Sequence, residues 1–590
     1  MGREKPLSAI VITIGYCIKV IQSNVVIHFK TAVLHCPIGI AGLCIFARSL
    51  IEGLQGASSK STPIFISLGD DGLTVEETLQ DRDMSMWYCC SRSSLINVEA
   101  RTLDATSVAR RCVLVRLSEL TPENYHWLVG QGAAALLVLL PSNLTSLSPE
   151  QRKLVHEVET AMLESDTQLG VYLAYETQEL LDIYVSVRTA TNTDSATSAA
   201  AALLRSLSSD GYQIVVGGSQ SKLMSDMSIA NIQGKLSGYG VEEQLPTVAI
   251  VAHYDAFGAA PELSWGSDSN GSGVVILLEL ARILSRLYAS PRTHPRLNIA
   301  FLLSGGGYIN YQGSKRFLED HLDASDSPLL SETHYTMCLD SLGAGDSIRM
   351  HVSKKPKENS PAHIFFQGLE EIGTKSGIKV EMVHRKINLQ EDTQAWEHEK
   401  YSMRRLPAFT VSRLPVSNKH PKTGERGSIL DTPDSVDVDA LTRNTAVIAT
   451  SLLQHIYNTS VDEIFSEGLD VTRESVQSWL DLMSSQPRSP QLLSGKNNPL
   501  VSTLHQVLSR YTNEARVTYV KADKRDPEWA FYDVTKTTMA AYAVKPAAFD
   551  FLLTLAILSY LGVIYVFLQY FPKIYVMMAR ITSPRKSKVH

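Results

Sequence analysis

The chain has 590 residues, 44 % apolar and 20 % charged, a length that allows several domains and a composition that excludes global disorder. Fifty-five Lys and Arg against 61 Asp and Glu give a formal charge of −6, so no net field favours nucleic acid as a partner. The seven cysteines, Cys17, Cys36, Cys44, Cys89, Cys90, Cys112 and Cys338, form no disulfide-framework spacing and no CxxC metal site, though pairing among the last four stays open.

Arg3 and Lys5 precede an apolar stretch at 7–20, and a second follows at 31–46. Either serves as the apolar part of an export signal or signal anchor within residues 1–50, and a membrane span is the other reading. CVLVRLSEL (112–120), AALLVLLP (134–141) and GVYLAY (170–175) read as short buried strands around a charged helical stretch at 149–164. They predict a small α/β domain over 95–190. A Ser/Thr/Ala-rich linker at 189–202 leads into PTVAIVAHYD (246–255), VVILLELARILSRLY (274–288), LNIAFLLSGG (297–306), HYTMCLDSLG (334–343) and PAFTVS (407–412). Apolar strands alternating with amphipathic helices predict an α/β domain over 196–455, its mostly parallel sheet flanked by helices. Residues 461–545 turn polar and helical and read as a helical stalk.

The stretch 551–571, FLLTLAILSYLGVIYVFLQYF, carries no charge and is long enough to cross a hydrocarbon core about 30 Å thick. Lys573, Arg580, Arg585, Lys586 and Lys588 follow it without an acid. The positive-inside rule then puts a tail at 572–590 in the cytosol and the large domain across the membrane. The three N-x-S/T sequons at Asn143, Asn270 and Asn458 fall on that far side and are candidate glycan sites.

Chemistry concentrates where the strand ending AHYD meets the loop GSDSNGSG, which places His253, Asp255 and Asp268 at the carboxyl end of a strand. AHYDAFG, GSDSNGSGVVILLELARIL, LNIAFLLSGGGYINYQGS, CLDSLG and RRLPAF, in that order, resemble the zinc aminopeptidases of the M28 type. That resemblance implies two zinc ions held by His and carboxylate ligands with a bridging Asp, and a Glu as general base. On it, His253 matches a metal His, Asp255 the acid that orients it, and Asp340 a later acidic ligand. The bridging position falls on Ser269. The Glu-Glu pair of general base and ligand falls on Gly307 and Tyr308. The final His falls at Leu430 or Asp431, and His398 lines up with a family His that is not a ligand. These vestigial positions imply no catalytic residue, no metal and no cofactor, since glycine or tyrosine cannot take the base's proton at neutral pH. Read without the family, His253 is a hydrogen-bonded strand-end histidine held by Asp255. The Gly305-Gly306-Gly307 run reads as a tight turn.

Further stretches, KINL (386–389), AWEHE (395–399), RRLPAF (404–409) and VKADKRDPE (520–528), resemble the non-catalytic membrane branch of that family, the nicastrin-like proteins and above all the nicalin group. This resemblance implies a type I glycoprotein of the endoplasmic-reticulum membrane with its large domain luminal. It also implies a scaffold subunit partnered by the Nodal modulator protein and a small polytopic membrane protein, in a translocon- and ribosome-associated complex for multi-pass membrane proteins. An active or rearranged M28 hydrolase is the rival expectation.

Overall fold

The structure is a computed structural model that describes strands Ile64–Phe65 and Ser85–Cys89 and most of the chain from residue 96 to 582; the largest segments left undescribed within it are 193–210, 416–426 and 459–468. The expected signal region at 1–50 lies outside the described residues.

Two eight-stranded sheets carry the fold. The first contains β1 (Ile64–Phe65), β2 (Ser85–Cys89), β3 (Ile96–Thr102), β4 (Cys112–Arg116), β5 (Ala135–Leu140), β6 (Gly170–Tyr175) and β7 (Gly211–Gly217). β3 to β6 pair in parallel, in the order 3-4-5-6. Helix α1 (Pro122–Gly130) crosses from β4 to β5 and α2 (Pro149–Glu164) from β5 to β6, as parallel pairing requires, whereas α3 (Gln178–Asn192) leaves β6 ahead of β7, which joins β3 antiparallel. Every residue of β5, ALLVLL, is buried, as expected of a strand covered on both faces.

The second sheet contains β8 (Ser228–Leu236), β9 (Thr247–His253), β10 (Asn298–Ser304), β11 (Thr333–Leu339), β12 (Ser347–Val352), β13 (Lys379–His384), β14 (Ala408–Ser412) and β15 (Asn513–Lys521), in the order 13-12-14-11-9-10-8-15. Its centre, β14, β11, β9 and β10, is parallel, and so is the β12–β13 pair; β12, β8 and β15 join antiparallel. The wholly buried β9 lies at the middle. Helix α4 (Gly273–Ala289) packs on one face through Val275, Leu278 and Leu284, and α5 (Gln312–Leu318) covers the other through Phe317 and Leu318. The expected sheet class therefore holds, with antiparallel strands added at its flanks.

After α6 (Pro361–Lys375), α7 (His398–Met403) and α8 (Val438–Tyr457) the segment read as a stalk departs from that expectation. Helices α9 (Arg473–Met483), α10 (Pro490–Leu493) and α11 (Pro499–Tyr511) bury Val476, Leu480, Met483, Leu493, Leu504 and Leu508 in the same core as β9 and α4. β15 extends the second sheet beside β8, and β16 (Lys536–Val544) pairs with β2 on one side and β7 on the other, closing the first sheet on itself. The polar surface of this segment is the outer face of amphipathic elements, and their apolar positions are core. One buried acid anchors the docking: Glu279 of α4 is fully buried, paired with Arg282 and accepting hydrogen bonds from Ser475 Oγ at 2.8 Å and Trp479 Nε1 at 3.0 Å.

The last described helix, α12 (Ala547–Thr582), carries the apolar stretch Phe551–Met577, whose most apolar 18-residue window has a mean hydropathy of 2.4 and is not buried. At about 1.5 Å per residue it exceeds the length needed to cross a bilayer. The apolar stretch thus runs beyond 571, and the expected tail at 572–590 begins inside the helix, at Pro572.

Candidate functional site

β9 delivers His253 to the carboxyl end of the parallel strands, beside Ser304, the last residue of β10. The imidazole is buried, and its Nδ1 lies 3.4 Å from Glu397 Oε2. Glu397 Oε1 accepts hydrogen bonds from Ser304 Oγ and Ser314 Oγ, each at 2.6 Å, and Tyr401 donates to Ser314 Oγ at 3.1 Å. Burial alone would lower the pKa of His253. The hydrogen bond and charge of Glu397, helped by Asp340 and Asp255, outweigh that and hold it above the ordinary histidine value.

Asp255 does not have the expected orienting role. Its Oδ1 accepts from the Gly307 amide at 2.9 Å, its Oδ2 is buried without a hydrogen-bond partner, and burial raises its pKa. Glu397, from the AWEHE stretch, occupies that role instead. An H-x-D spacing points to the neighbour in sequence, whereas the partner arrives from a loop 144 residues away. The neighbouring His398 faces Thr410 Oγ1 at 2.8 Å, and burial, aided by His351, pushes its pKa down to about 3.

The positions of the missing Glu pair are filled. Gly307 lies so close to the imidazole that a Cβ there would sit 2.3 Å from His253 Cδ2, well inside any real carbon contact. Tyr308 stacks on Phe257 at 6.0 Å between ring centroids, meets His253 edge-on at 5.6 Å, and touches the Ser269 hydroxyl with its own. Asp340 is buried and accepts from Ser341 Oγ at 2.9 Å.

The loop from Gly266 to Ser272 is held by charge from both sides. Asp431 takes the amides of Asp268 and Ser269 at 2.8 and 2.7 Å. Arg488, fully buried and supplied by the segment read as a stalk, donates from Nε to Trp265 O at 3.0 Å and from Nη2 to Gly266 O. Burial pushes Asp431 up to about 7, and the charge of Asp268 adds to the effect; burial lowers Arg488 to about 10. Asp268 itself turns away from His253, accepting from Arg413 Nε at 2.8 Å and from the Gly343 amide at 2.6 Å. Leu430 belongs to the core of the first sheet. Sequence reasoning missed Glu397 and Arg488; the acidic and imidazole residues packed into the short stretch AWEHE were a signal for the former, and nothing local marks the latter.

Two zinc ions do not fit these residues. Ser269, Gly307, Tyr308 and Leu430 offer no carboxylate or imidazole, and a glutamate at 307 would overlap the His253 ring. Among the described residues no group of three or more His, Cys, Asp or Glu is placed to hold a metal.

The sequons divide. Asn143 and Asn458 are exposed, the latter capping α8 in the left-handed conformation. Asn270 is completely buried, at φ 73°, with Nδ2 donating to the His253 carbonyl, so its expected glycan has no room in this fold. Cys112 and Cys338 are buried free thiols, and burial pushes Cys112 up to about 12.

The sheet order, the strand-end histidine and the loops around it define an α/β protein of the M28 aminopeptidase type, and residues 231–452 match peptidase family M28. The chain is 44 % identical over 531 residues to the BOS complex subunit ncln of Danio rerio, covering 86 % of this chain and 92 % of that protein. It is 45 % identical over 519 residues to the human BOS complex subunit NCLN, with 86 % and 91 % covered, and 31 % identical to Nicalin of Caenorhabditis elegans, with 81 % and 86 % covered. The crystal structure of the gamma-secretase component Nicastrin shares the fold, with a TM-score of 0.51 at 10 % identity, covering 78 % of this chain and 99 % of that one. The chain belongs to the nicalin family.

Proposed function

We propose that this protein is a non-catalytic subunit of a membrane protein complex, anchored by α12 with its folded domain in the lumen of the endoplasmic reticulum. The observation that carries the non-catalytic part is the packing of Gly307 against His253, which occupies with backbone the place a general base needs. The subunit role is supported by likeness to proteins named as BOS complex subunits. The resemblance adds the Nodal modulator protein and a small polytopic membrane protein as partners, and a place beside the translocon in making multi-pass proteins. Asn143 and Asn458 are the proposed glycan carriers.

The test is elemental analysis and aminopeptidase turnover of the purified full-length protein, alongside partner recovery from native membranes. The expected result is no retained zinc by the ligand argument above, no turnover, and co-purifying membrane proteins. Stoichiometric zinc lost on His253→Ala, together with peptide turnover, would replace this reading with the rearranged hydrolase.

A further inference from the structure

Three strand ends meet at one end of the second sheet, opposite the end that carries His253. Val352, the last residue of β12, lies beside His384, the last of β13, and opposite Phe409, near the start of β14. Arg385 donates its amide to Val352 O at 3.0 Å, so the chain beyond β13 stays against that of β12. The residues flanking these ends are basic. In 353–360, 384–392 and 403–407 the sequence places Lys354, Lys355, Lys357, Arg385, Lys386, Arg404 and Arg405 against three acids, Glu358, Glu391 and Asp392. All but Arg385 of these cations are exposed. In a chain of net charge −6 this is a local reversal of sign.

A basic loop alone needs no partner, but this cluster lies along an open edge. β13 is the outermost strand of its sheet, pairs only with β12 among the described residues, and is partly exposed along its length. The amides of Lys379 and Arg385 are used toward β12. By alternation those of Val380, Met382 and His384 point outward. The edge has no proline and no bulge to deter pairing; Lys379 at its start and its short length are the protections present. Just past it, Leu389 is 79 % exposed. KINL and RRLPAF, two stretches that carry the family resemblance, contribute these exposed residues and no side chain to the His253 cleft.

We propose that this edge receives an extended acidic segment of a partner protein, which adds to β13 as a further strand and lays its carboxylates over Lys354, Lys355, Lys357 and Lys386. Strand addition supplies backbone hydrogen bonds, and the cations select for charge and speed the encounter. Anionic lipid headgroups would satisfy the lysines but leave the outward amides of β13 unused, which is why a protein segment fits better. The inference rests on the subunit reading above.

The test uses full-length protein in native membranes treated with a water-soluble carbodiimide, which joins lysine amines to carboxylates in contact with them. Cross-linked peptides linking Lys354, Lys355, Lys357 or Lys386 to an Asp- or Glu-rich segment of another chain are expected. Partner recovery should fall about tenfold in K354E/K355E/K386E, since several charge pairs become repulsions at once. It should also fall in His384→Pro, which removes one outward amide at an exposed position and leaves the lysines in place. Undiminished recovery with the triple variant overturns the surface while leaving the subunit reading intact. Loss with the triple variant but not with His384→Pro overturns strand addition. Wild-type recovery by the triple variant, coupled with lost binding to vesicles one-third phosphatidylserine, gives the surface to lipid. If the wild type recovers no partner at all, the subunit reading fails first and this inference with it.

Discussion

At the scale of single residues, the His253 cleft is held by close backbone packing and by buried charge. Gly307→Ala forces a Cβ into the His253 ring and should lower stability by about 1–3 kcal/mol, the usual cost of overpacking. In a His253→Ala background the same change should cost much less, so a chemical-denaturation double-mutant cycle checks the contact itself. Arg488 gives a second test. Its charge acts on Asp431, and Asp431, Asp255 and Tyr308 in turn favour its charged form; Asp268, the other acid near Asp431, has Arg413 as its own partner. Replacing Arg488 by Met should destabilise the protein by about 1–3 kcal/mol, the scale for leaving buried carbonyls without their donors. The loss should grow from pH 5 to pH 8. Asp431 has a folded pKa raised to about 7, so it favours the folded state when protonated and costs stability as pH rises from its unfolded value through the folded one. Without the guanidinium that cost increases. A pH-independent loss would mean that Arg488 acts only through its bonds to Trp265 O and Gly266 O.

At the scale of elements, the informative misreading is the stalk. The strands β5, β6, β9 and β10 were legible because each is a nearly unbroken apolar run, β11 because its second half is apolar, and α4 because its apolar stripe is wide. β15 (NEARVTYVK) and β16 (KTTMAAYAV) were not, because strands with one face toward solvent are half polar, and their partners lie hundreds of residues upstream. The same holds at the site: His253, Ser269, Gly307 and Tyr308 could be placed by local spacing, whereas Glu397 and Arg488 enter through tertiary packing alone. A chain ended at residue 460 should therefore fail to form a protease-resistant domain, because it lacks the strand that closes the first sheet and the edge strand of the second, and leaves Glu279 without Ser475 and Trp479. A stable, protease-resistant product would restore the stalk interpretation.

At the scale of the whole molecule, the proposed topology puts Asn143 and Asn458 on the glycosylated side. Asn143→Gln and Asn458→Gln should each increase gel mobility by one glycan, and Asn270→Gln by none, as read by endoglycosidase treatment. Protease added to sealed microsomes should spare the domain ahead of α12. Ser559, Gly562 and Gln569 give the apolar helix small and polar positions. Exchanging α12 for an unrelated apolar helix should keep membrane insertion but reduce recovery of partners.

The pairing of β15 with β8 and of β16 with β2 and β7 also sets the order of events during synthesis. Gly211 waits for Val544 and Ser228 for Lys521, so neither sheet is complete until nearly the whole chain ahead of the anchor has been made. Non-local pairing of this kind is slow and leaves strand edges bare meanwhile. Because α12 begins within three residues of the end of β16, completion of the domain and arrival of the anchor nearly coincide. A nascent chain of this protein is thus committed to a long interval of chaperone care, and ribosome-bound intermediates shortened before β16 should remain chaperone-bound, with release following the emergence of residues 536–544.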